Sequence, residues 1–284
     1  SGAIGCEFAH YFNTFGSKVH IIEMSDRILP SEDLEISKEL EKIFNSKGIK
    51  TSTSTKVLKG VASNSKAKIL TEKNGIQKSL NSEIALVAVG VSGNIEGIGL
   101  NNIGIKNSSG KIDIDKNNQT NISNIYAIGD VSGPPWLAHR ASAQANSVVG
   151  IISGKDTRQV DNSLIPGCTY CEPQVASVGM KEHEALEKGY NVQVGKASFL
   201  SSGKALALGN TEGFVKLIFD QKYGELLGAH IIGSEATELI SELVIAKQLE
   251  STVEDLAYSI HPHPTLSESI MEAALDALGI PLHH

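Results

Sequence analysis

Ser1-Gly2-Ala3-Ile4-Gly5-Cys6-Glu7-Phe8-Ala9 opens the chain, and its reading decides the fold. Gly2 and Gly5 have the spacing of the second and third glycines of G-x-G-x-x-G at the start of a helix. The first glycine and its strand are then expected upstream of Ser1. In this reading Gly2 lets the backbone approach a pyrophosphate and Gly5 lets the helix lie close to a sheet. The helix N-terminus offers free amides and a partial positive charge to the phosphates. A helix start built from small residues explains the same stretch, so the motif depends on its context.

That context follows at once. Lys18-Val-His-Ile-Ile-Glu23 reads as a strand ending in an acid eighteen residues after Gly5. A ribose-binding carboxylate is expected about 20 residues along. Glu23 would accept hydrogen bonds from a free 2′-hydroxyl and repel a 2′-phosphate, which points to NAD over NADP. Leu34, Ile36, Leu40, Ile43 and Phe44 recur on a helical period over 32–47, and Gly48 ends the helix. Strands are expected at 49–53, 56–62 and 67–71, with Asn74-Gly75 as a turn. A further strand at 83–89 would close the nucleotide-binding fold on Gly90.

Residues 91–120, rich in Gly, Asn and Ser, read as a crossing between domains. In Asn124-Ile-Tyr-Ala-Ile-Gly-Asp130 a short apolar strand delivers Asp130 after a glycine. Its carboxylate could accept hydrogen bonds from a polyhydroxyl chain, although a plain strand-ending turn has the same pattern. A helix is expected from Trp136 to about Ile152. Beyond Ser163, strands at 174–179, 191–198, 213–219 and 226–232 alternate with helices at 181–188 and 235–249, the mix of an α+β domain. Ile240, Leu243, Val244 and Ala246 form a stripe compatible with either core or a dimer seam.

Near the end stands Ser259-Ile-His-Pro-His-Pro-Thr-Leu-Ser-Glu268. Histidine titrates near neutral pH, so a ring held beside a carboxylate can take and return a proton. Thr265 is spaced as the N-cap of a helix with Glu268 at its third position, a capping box. That geometry would turn the carboxylate back toward His263. A proline-rich turn with a surface histidine and a capping glutamate fits the same spacing.

Composition narrows the class. A chain of 284 residues can hold two domains and part of a third. The net charge of −7 and the lack of a Lys/Arg block argue against nucleic acid as a partner. The longest apolar run, 84–91, is too short to span a bilayer, and no signal peptide is visible. Three cysteines do not make a disulfide framework. Cys168-x-x-Cys171 lacks the further ligands of a zinc site, and Glu172-Pro173 behind it points to extended chain. The pair therefore reads as part of a strand, and no metal site is expected.

His-x-His-Pro-Thr-x-Ser-Glu at 261–268, Trp-Leu-Ala-His-Arg at 136–140 and Gly129-Asp130 together resemble the dihydrolipoamide dehydrogenases, FAD- and NAD-dependent flavoproteins of the pyridine nucleotide-disulfide oxidoreductase family. The resemblance covers the whole chain, with the motifs in order. It implies an α/β nucleotide-binding (Rossmann-like) domain over 1–91, truncated at its first strand. A central segment over 92–162 would complete the FAD site, and an α+β dimerisation domain over 163–284 would make a homodimer.

The resemblance also assigns roles. His263 would be the catalytic acid–base and Glu268 the residue that orients it, with His261 in the motif's first His position the less favoured base. Gly2, Gly5, Glu23, Val57 and Gly90 would line the NAD site. Glu7 would pair with a lysine of the flavin domain. Asp130 would hold the ribitol of FAD, and the backbone at Leu137, Ala138 and His139 would face the flavin N1–C2 edge, favouring negative charge there.

The implied reaction is oxidation of dihydrolipoamide carried on the lipoyl domain of a 2-oxo acid dehydrogenase or related complex. His263 of the partner subunit would deprotonate a substrate thiol, and the thiolate would attack a redox disulfide. Electrons would then reach NAD through FAD. The disulfide and the main FAD domain are expected outside this chain, because Cys6, Cys168 and Cys171 do not form C-x-x-x-x-C. The implied compartment is the cytoplasm, or the mitochondrial matrix in a eukaryote. Two alternatives stay open: another pyridine nucleotide-disulfide reductase, such as a glutathione or mercuric reductase, and a non-catalytic nucleotide-binding and dimerisation fragment.

Overall fold

A computed structural model describes residues 1–283. They form two units, residues 1–89 with 166–283, and Gly90–Ile165. The first unit begins with α1 (Ala3–Thr14), β1 (His20–Ile22), α2 (Leu34–Ser46) and β2 (Lys50–Ser52). β1 and β2 pair in parallel, Ile21 opposite Thr51. Asp33 caps α2 by accepting from the Glu35 N–H at 3.0 Å, which satisfies one of the donors a helix start leaves open. An antiparallel sheet follows, made of β3 (Lys56–Ala62), β4 (Ala67–Lys73) and β5 (Ile76–Ser82). Asn74 and Gly75 join its last two strands with φ of 51° and 76°, the left-handed pair that suits a tight hairpin.

The second unit holds a short hairpin, β6 (Asn107–Ser108) and β7 (Lys111–Ile112), a 3-10 turn at Gly129–Ser132, and α3 (Ala138–Ile152). Ile105, Ile112 and Ala127 form its small apolar core.

The chain then returns to the first unit with β8 (Gly167–Thr169), β9 (Gln174–Gly179), α4 (Glu182–Glu187), β10 (Val192–Ser198), α5 (Gly203–Leu208), β11 (Phe214–Asp220), β12 (Leu226–Gly233), α6 (Ala236–Gln248), α7 (Val253–Ala257) and α8 (Glu268–Ala277). The strands make one antiparallel sheet ordered β10-β11-β12-β9-β8. Alternation along β11 sends Val215, Leu217 and Phe219 into a core shared with Ile240 and Leu243 of α6 and Ile270, Ala273 and Ala274 of α8. A second core joins Cys6 of α1 and Ile36, Leu40 and Phe44 of α2 to Cys171, Val175 and Ile232. The nucleotide-motif helices and the C-terminal sheet are thus packed on common ground.

The sequence reading needs correction at several places: β5 is not among the expected strands, β2 pairs with β1 and not with β3, and three further segments differ. Residues 83–89 form no strand: they pair with nothing among the described residues, and Val89 is 91% exposed. An apolar run becomes a strand only where a neighbour completes its ladder, and none does so here. Residues 124–128 likewise make only an isolated bridge, Tyr126 with Gln119, before the turn that carries Asp130. The last helix starts at Glu268, not after Thr265. The Thr265 hydroxyl turns away to donate to the Pro262 carbonyl at 2.7 Å, leaving only half of the expected capping box.

Candidate functional site

The remaining half of that box is what matters chemically. The Thr265 N–H donates to Glu268 Oε2 at 2.8 Å, and His263 Nδ1 lies 2.8 Å from Glu268 Oε1. One carboxylate oxygen is anchored on backbone and the other on the imidazole. Slight burial would raise the Glu268 pKa, but the Thr265 amide and the imidazole outweigh it and hold the group below its ordinary value. A carboxylate only accepts, so in the neutral ring Nδ1 carries the proton and the lone pair sits on Nε2. The ring is 78% exposed, so Nε2 can reach a ligand in solvent.

His261 is different. Its side chain is 6% exposed, with Nε2 2.8 Å from Glu242 Oε1 and Nδ1 3.1 Å from the Ser259 carbonyl. Both nitrogens face acceptors, which favours the imidazolium. The Glu242 hydrogen bond raises the His261 pKa despite burial. His261 thus ties its loop to α6, while His263 projects from it.

A second group forms at the start of α1. Gly2 is the N-cap, with open space where a Cβ would stand and no side chain capping the helix. Glu23, just past β1, accepts from the Ser1 hydroxyl at 2.8 Å and the Ser25 N–H at 2.7 Å. The fold therefore brings Glu23 to the glycine motif. Val57 lies on β3 two residues beyond Thr55, whose N–H donates to the Glu23 carbonyl at 2.8 Å. Gly5 is less demanding than its motif suggests, since a Cβ there would meet Ala88 Cβ at an ordinary 3.7 Å. Glu7 is engaged within the unit, accepting from the Tyr170 N–H at 2.9 Å.

The second unit carries the remaining candidates. Gly90 is its first residue, with φ of 127°. Asp130 is exposed in the 3-10 turn after Gly129, whose φ of 69° favours glycine. Leu137 is the N-cap of α3, and Ala138 and His139 are exposed in its first turn. No side chain caps that helix start and no acid occupies its first turn.

Sequence reasoning missed a buried charge cluster. Lys216 Nζ lies 3.0 Å from Asp33, 2.6 Å from Glu35 and 2.7 Å from Glu182. The signal was present: one lysine inside the apolar run Phe-Val-Lys-Leu-Ile-Phe of β11 must be paired if it is buried. The cysteines are free thiols, and Cys171 donates to the Pro173 carbonyl at 3.1 Å. Burial pushes Cys6 up to about 12 and raises Cys168 and Cys171 as well, the opposite of a reactive thiolate. Among the described residues no helix is long and apolar enough to cross a membrane, and no His/Cys/Asp/Glu group could hold a metal ion.

A model of the pyridine nucleotide-disulphide oxidoreductases matches residues 1–145, and one of their dimerisation domain matches residues 165–274. The chain belongs to the pyridine nucleotide-disulphide oxidoreductase family. Within it, the chain is dihydrolipoyl dehydrogenase-like. It is 47% identical to the dihydrolipoyl dehydrogenase of Rhizobium etli over 98% of this chain and 58% of that protein. With the Bacillus subtilis dihydrolipoyl dehydrogenase it shares 45% identity over 99% of this chain and 60% of the relative. The chain thus spans somewhat less than two thirds of these relatives' length. Among solved structures, LpdA of Mycobacterium tuberculosis superimposes with a TM-score of 0.88 at 25% identity, over 96% of this chain and 59% of that one. The HOCl-induced flavoprotein disulfide reductase RclA of Escherichia coli gives 0.88 at 28% identity, over 96% and 62%.

Proposed function

We propose that the chain supplies the acid–base pair, the pyridine-nucleotide site and part of the flavin site of a homodimeric dihydrolipoyl dehydrogenase. The observation that carries this reading is the exposed His263 ring held through Nδ1 at 2.8 Å by Glu268, which leaves Nε2 for a substrate. In the complete enzyme, His263 Nε2 takes the proton of a dihydrolipoamide thiol across the subunit boundary, and Glu268 stabilises the imidazolium that forms. The thiolate then attacks a disulfide contributed from outside this chain, because thiolate and not thiol is the nucleophile. The substrate arrives on the lipoyl arm of a 2-oxo acid dehydrogenase or related complex.

The residues present suit both cofactors. Glu23 beside the uncapped start of α1 suits the ribose and pyrophosphate of NAD. Exposed Asp130 suits the hydroxyls of a ribityl chain, and the uncapped start of α3 suits an electron-rich ring edge. Bound there, FAD would relay electrons from sulfur to NAD.

The test is His263→Gln in the complete flavoprotein. Lipoamide-dependent turnover should fall by about 10²-fold or more, while NADH-to-dye electron transfer, which bypasses the thiols, is retained. Equal loss of both activities would overturn the assignment.

A further inference from the structure

Within Gly90–Ile165, one buried amide holds the turn that presents Asp130. Gln144, on α3, is 3% exposed. Its Oε1 accepts from the Gly129 N–H at 2.8 Å, and its Nε2 donates to Asn118 Oδ1 at 2.7 Å and reaches Ser132 Oγ at 3.5 Å. The Gly129 N–H can only donate, so the orientation of the amide is dictated. Ser132 Oγ in turn donates to the Gly129 carbonyl at 2.7 Å and receives Arg140 at 3.3 Å. Arg140 also donates to the Gly133 carbonyl at 2.8 Å. Arg140 and Gln144 stand four residues apart on one face of α3, gripping the two ends of the 129–133 turn. The helix whose N-terminus faces outward at Leu137–His139 is thereby fastened to the loop that exposes Asp130.

We infer that Gln144 is a positioning residue for cofactor binding: it fixes the peptide before Asp130 so that the carboxylate and the start of α3 are presented together. The inference rests on the reading of Asp130 as a flavin residue. A buried amide with both ends engaged loses more than one contact when it is removed, because Gly129 N–H and Asn118 Oδ1 are left inside without partners. A lax turn would let Asp130 sample orientations that do not meet a hydroxyl chain, so affinity is lost although Gln144 touches no ligand. Neither the glycine-aspartate motif nor the Trp-Leu-Ala-His-Arg run reaches position 144.

The experiment titrates FAD into the apo form of the complete flavoprotein and reads quenching of flavin fluorescence, with melting of the apoprotein as a control. Gln144→Leu should weaken FAD binding by about 10-fold, the scale of one well-made hydrogen bond. In an Asp130→Ala background the same change should matter less than about 2-fold, because the group it positions is gone. Gln144→Glu keeps an acceptor for the Gly129 N–H, and the Asn118 amide can turn to donate to its second oxygen, so it should stay within about 3-fold of wild type. If Gln144→Leu does not fold, Gln144→Asn, too short to reach Gly129, carries the same expectation. Full additivity with Asp130→Ala, or a Gln144→Glu variant as weak as Gln144→Leu, would overturn the inference alone. An Asp130→Ala protein with unchanged FAD affinity would overturn the flavin reading of Asp130, and the positioning role with it.

Discussion

Gly195 on β10 faces the Ala273 carbonyl on α8 with no room between them for a methyl group. The Lys196 N–H donates to Asp276 Oδ2 at 2.8 Å, and the Gln193 side chain donates to the Ala277 carbonyl, so the sheet edge and the helix are joined along this line. Glu268 is the first residue of α8, whereas the loop bearing His263 is tied separately to α6 through His261 and Glu242. Gly195→Ala is therefore expected to push α8 outward and to cost about 1–3 kcal/mol as an overpacked contact. Urea denaturation measures this, and an unchanged midpoint would show that the close approach is not needed.

The orientation of His263 is set by Glu268, and this can be read by nitrogen NMR. At pH 8 the ring should be held as the Nδ1–H tautomer, because the carboxylate 2.8 Å away can only accept. In Glu268→Ala that bias should disappear, while Thr265 loses the carboxylate that its N–H now reaches. If the tautomer ratio is the same in both proteins, the pair does not orient the ring.

What could be read from the sequence was local. The Gly2–Gly5 helix start and the acid at Glu23 lie within one helix-and-strand unit, and His263 and Glu268 stand five residues apart, so spacing brings each set together without saying what it does. The turn at Asn74-Gly75 was legible because that pair favours a left-handed turn whatever surrounds it, but β5 behind it was not expected, since Ile76–Ser82 carries few apolar residues and is mostly exposed. Residues 83–89 and 124–128 misled because an apolar run carries no information about whether a neighbouring strand exists. The start of α8 misled because the Thr265 hydroxyl donates to the Pro262 carbonyl instead of accepting from a helix amide. Gln144 was invisible because its partners Gly129 and Asn118 lie 15 and 26 residues away along the chain. A lone glutamine in a helix looks like a surface residue until those partners are known.

Lys216 shows how charge can bind the nucleotide-motif helices to the C-terminal sheet. Its side chain is 2% exposed among Asp33 at the cap of α2, Glu35 on α2 and Glu182 on α4. Burial acts to raise Asp33 and Glu35, but hydrogen bonds from the Glu35 amide to Asp33, from Lys196 to Glu35, and from Lys216 to both hold the carboxylates below their ordinary values. Burial likewise opposes the charged lysine, yet the three carboxylates raise its pKa. The acids' stabilisation is thus fully present above their unfolded pKa of about 4 and is lost as pH falls through the lower folded values. The lysine's contribution is present below its unfolded pKa of about 10.4 and fades only as pH rises through the still higher folded value. Lys216→Met leaves Asp33 buried without its cation and is expected to cost about 3–5 kcal/mol at pH 7. Asp33 should account for most of that, since Glu35 and Glu182 reach water and are screened. Below about pH 4 the difference from wild type should narrow, because protonated acids gain little from the lysine. Denaturant unfolding across pH 3–8 reads this directly. A gap of constant size over that range would mean that Lys216 contributes packing alone, and that the two parts of the unit are held by their shared apolar core.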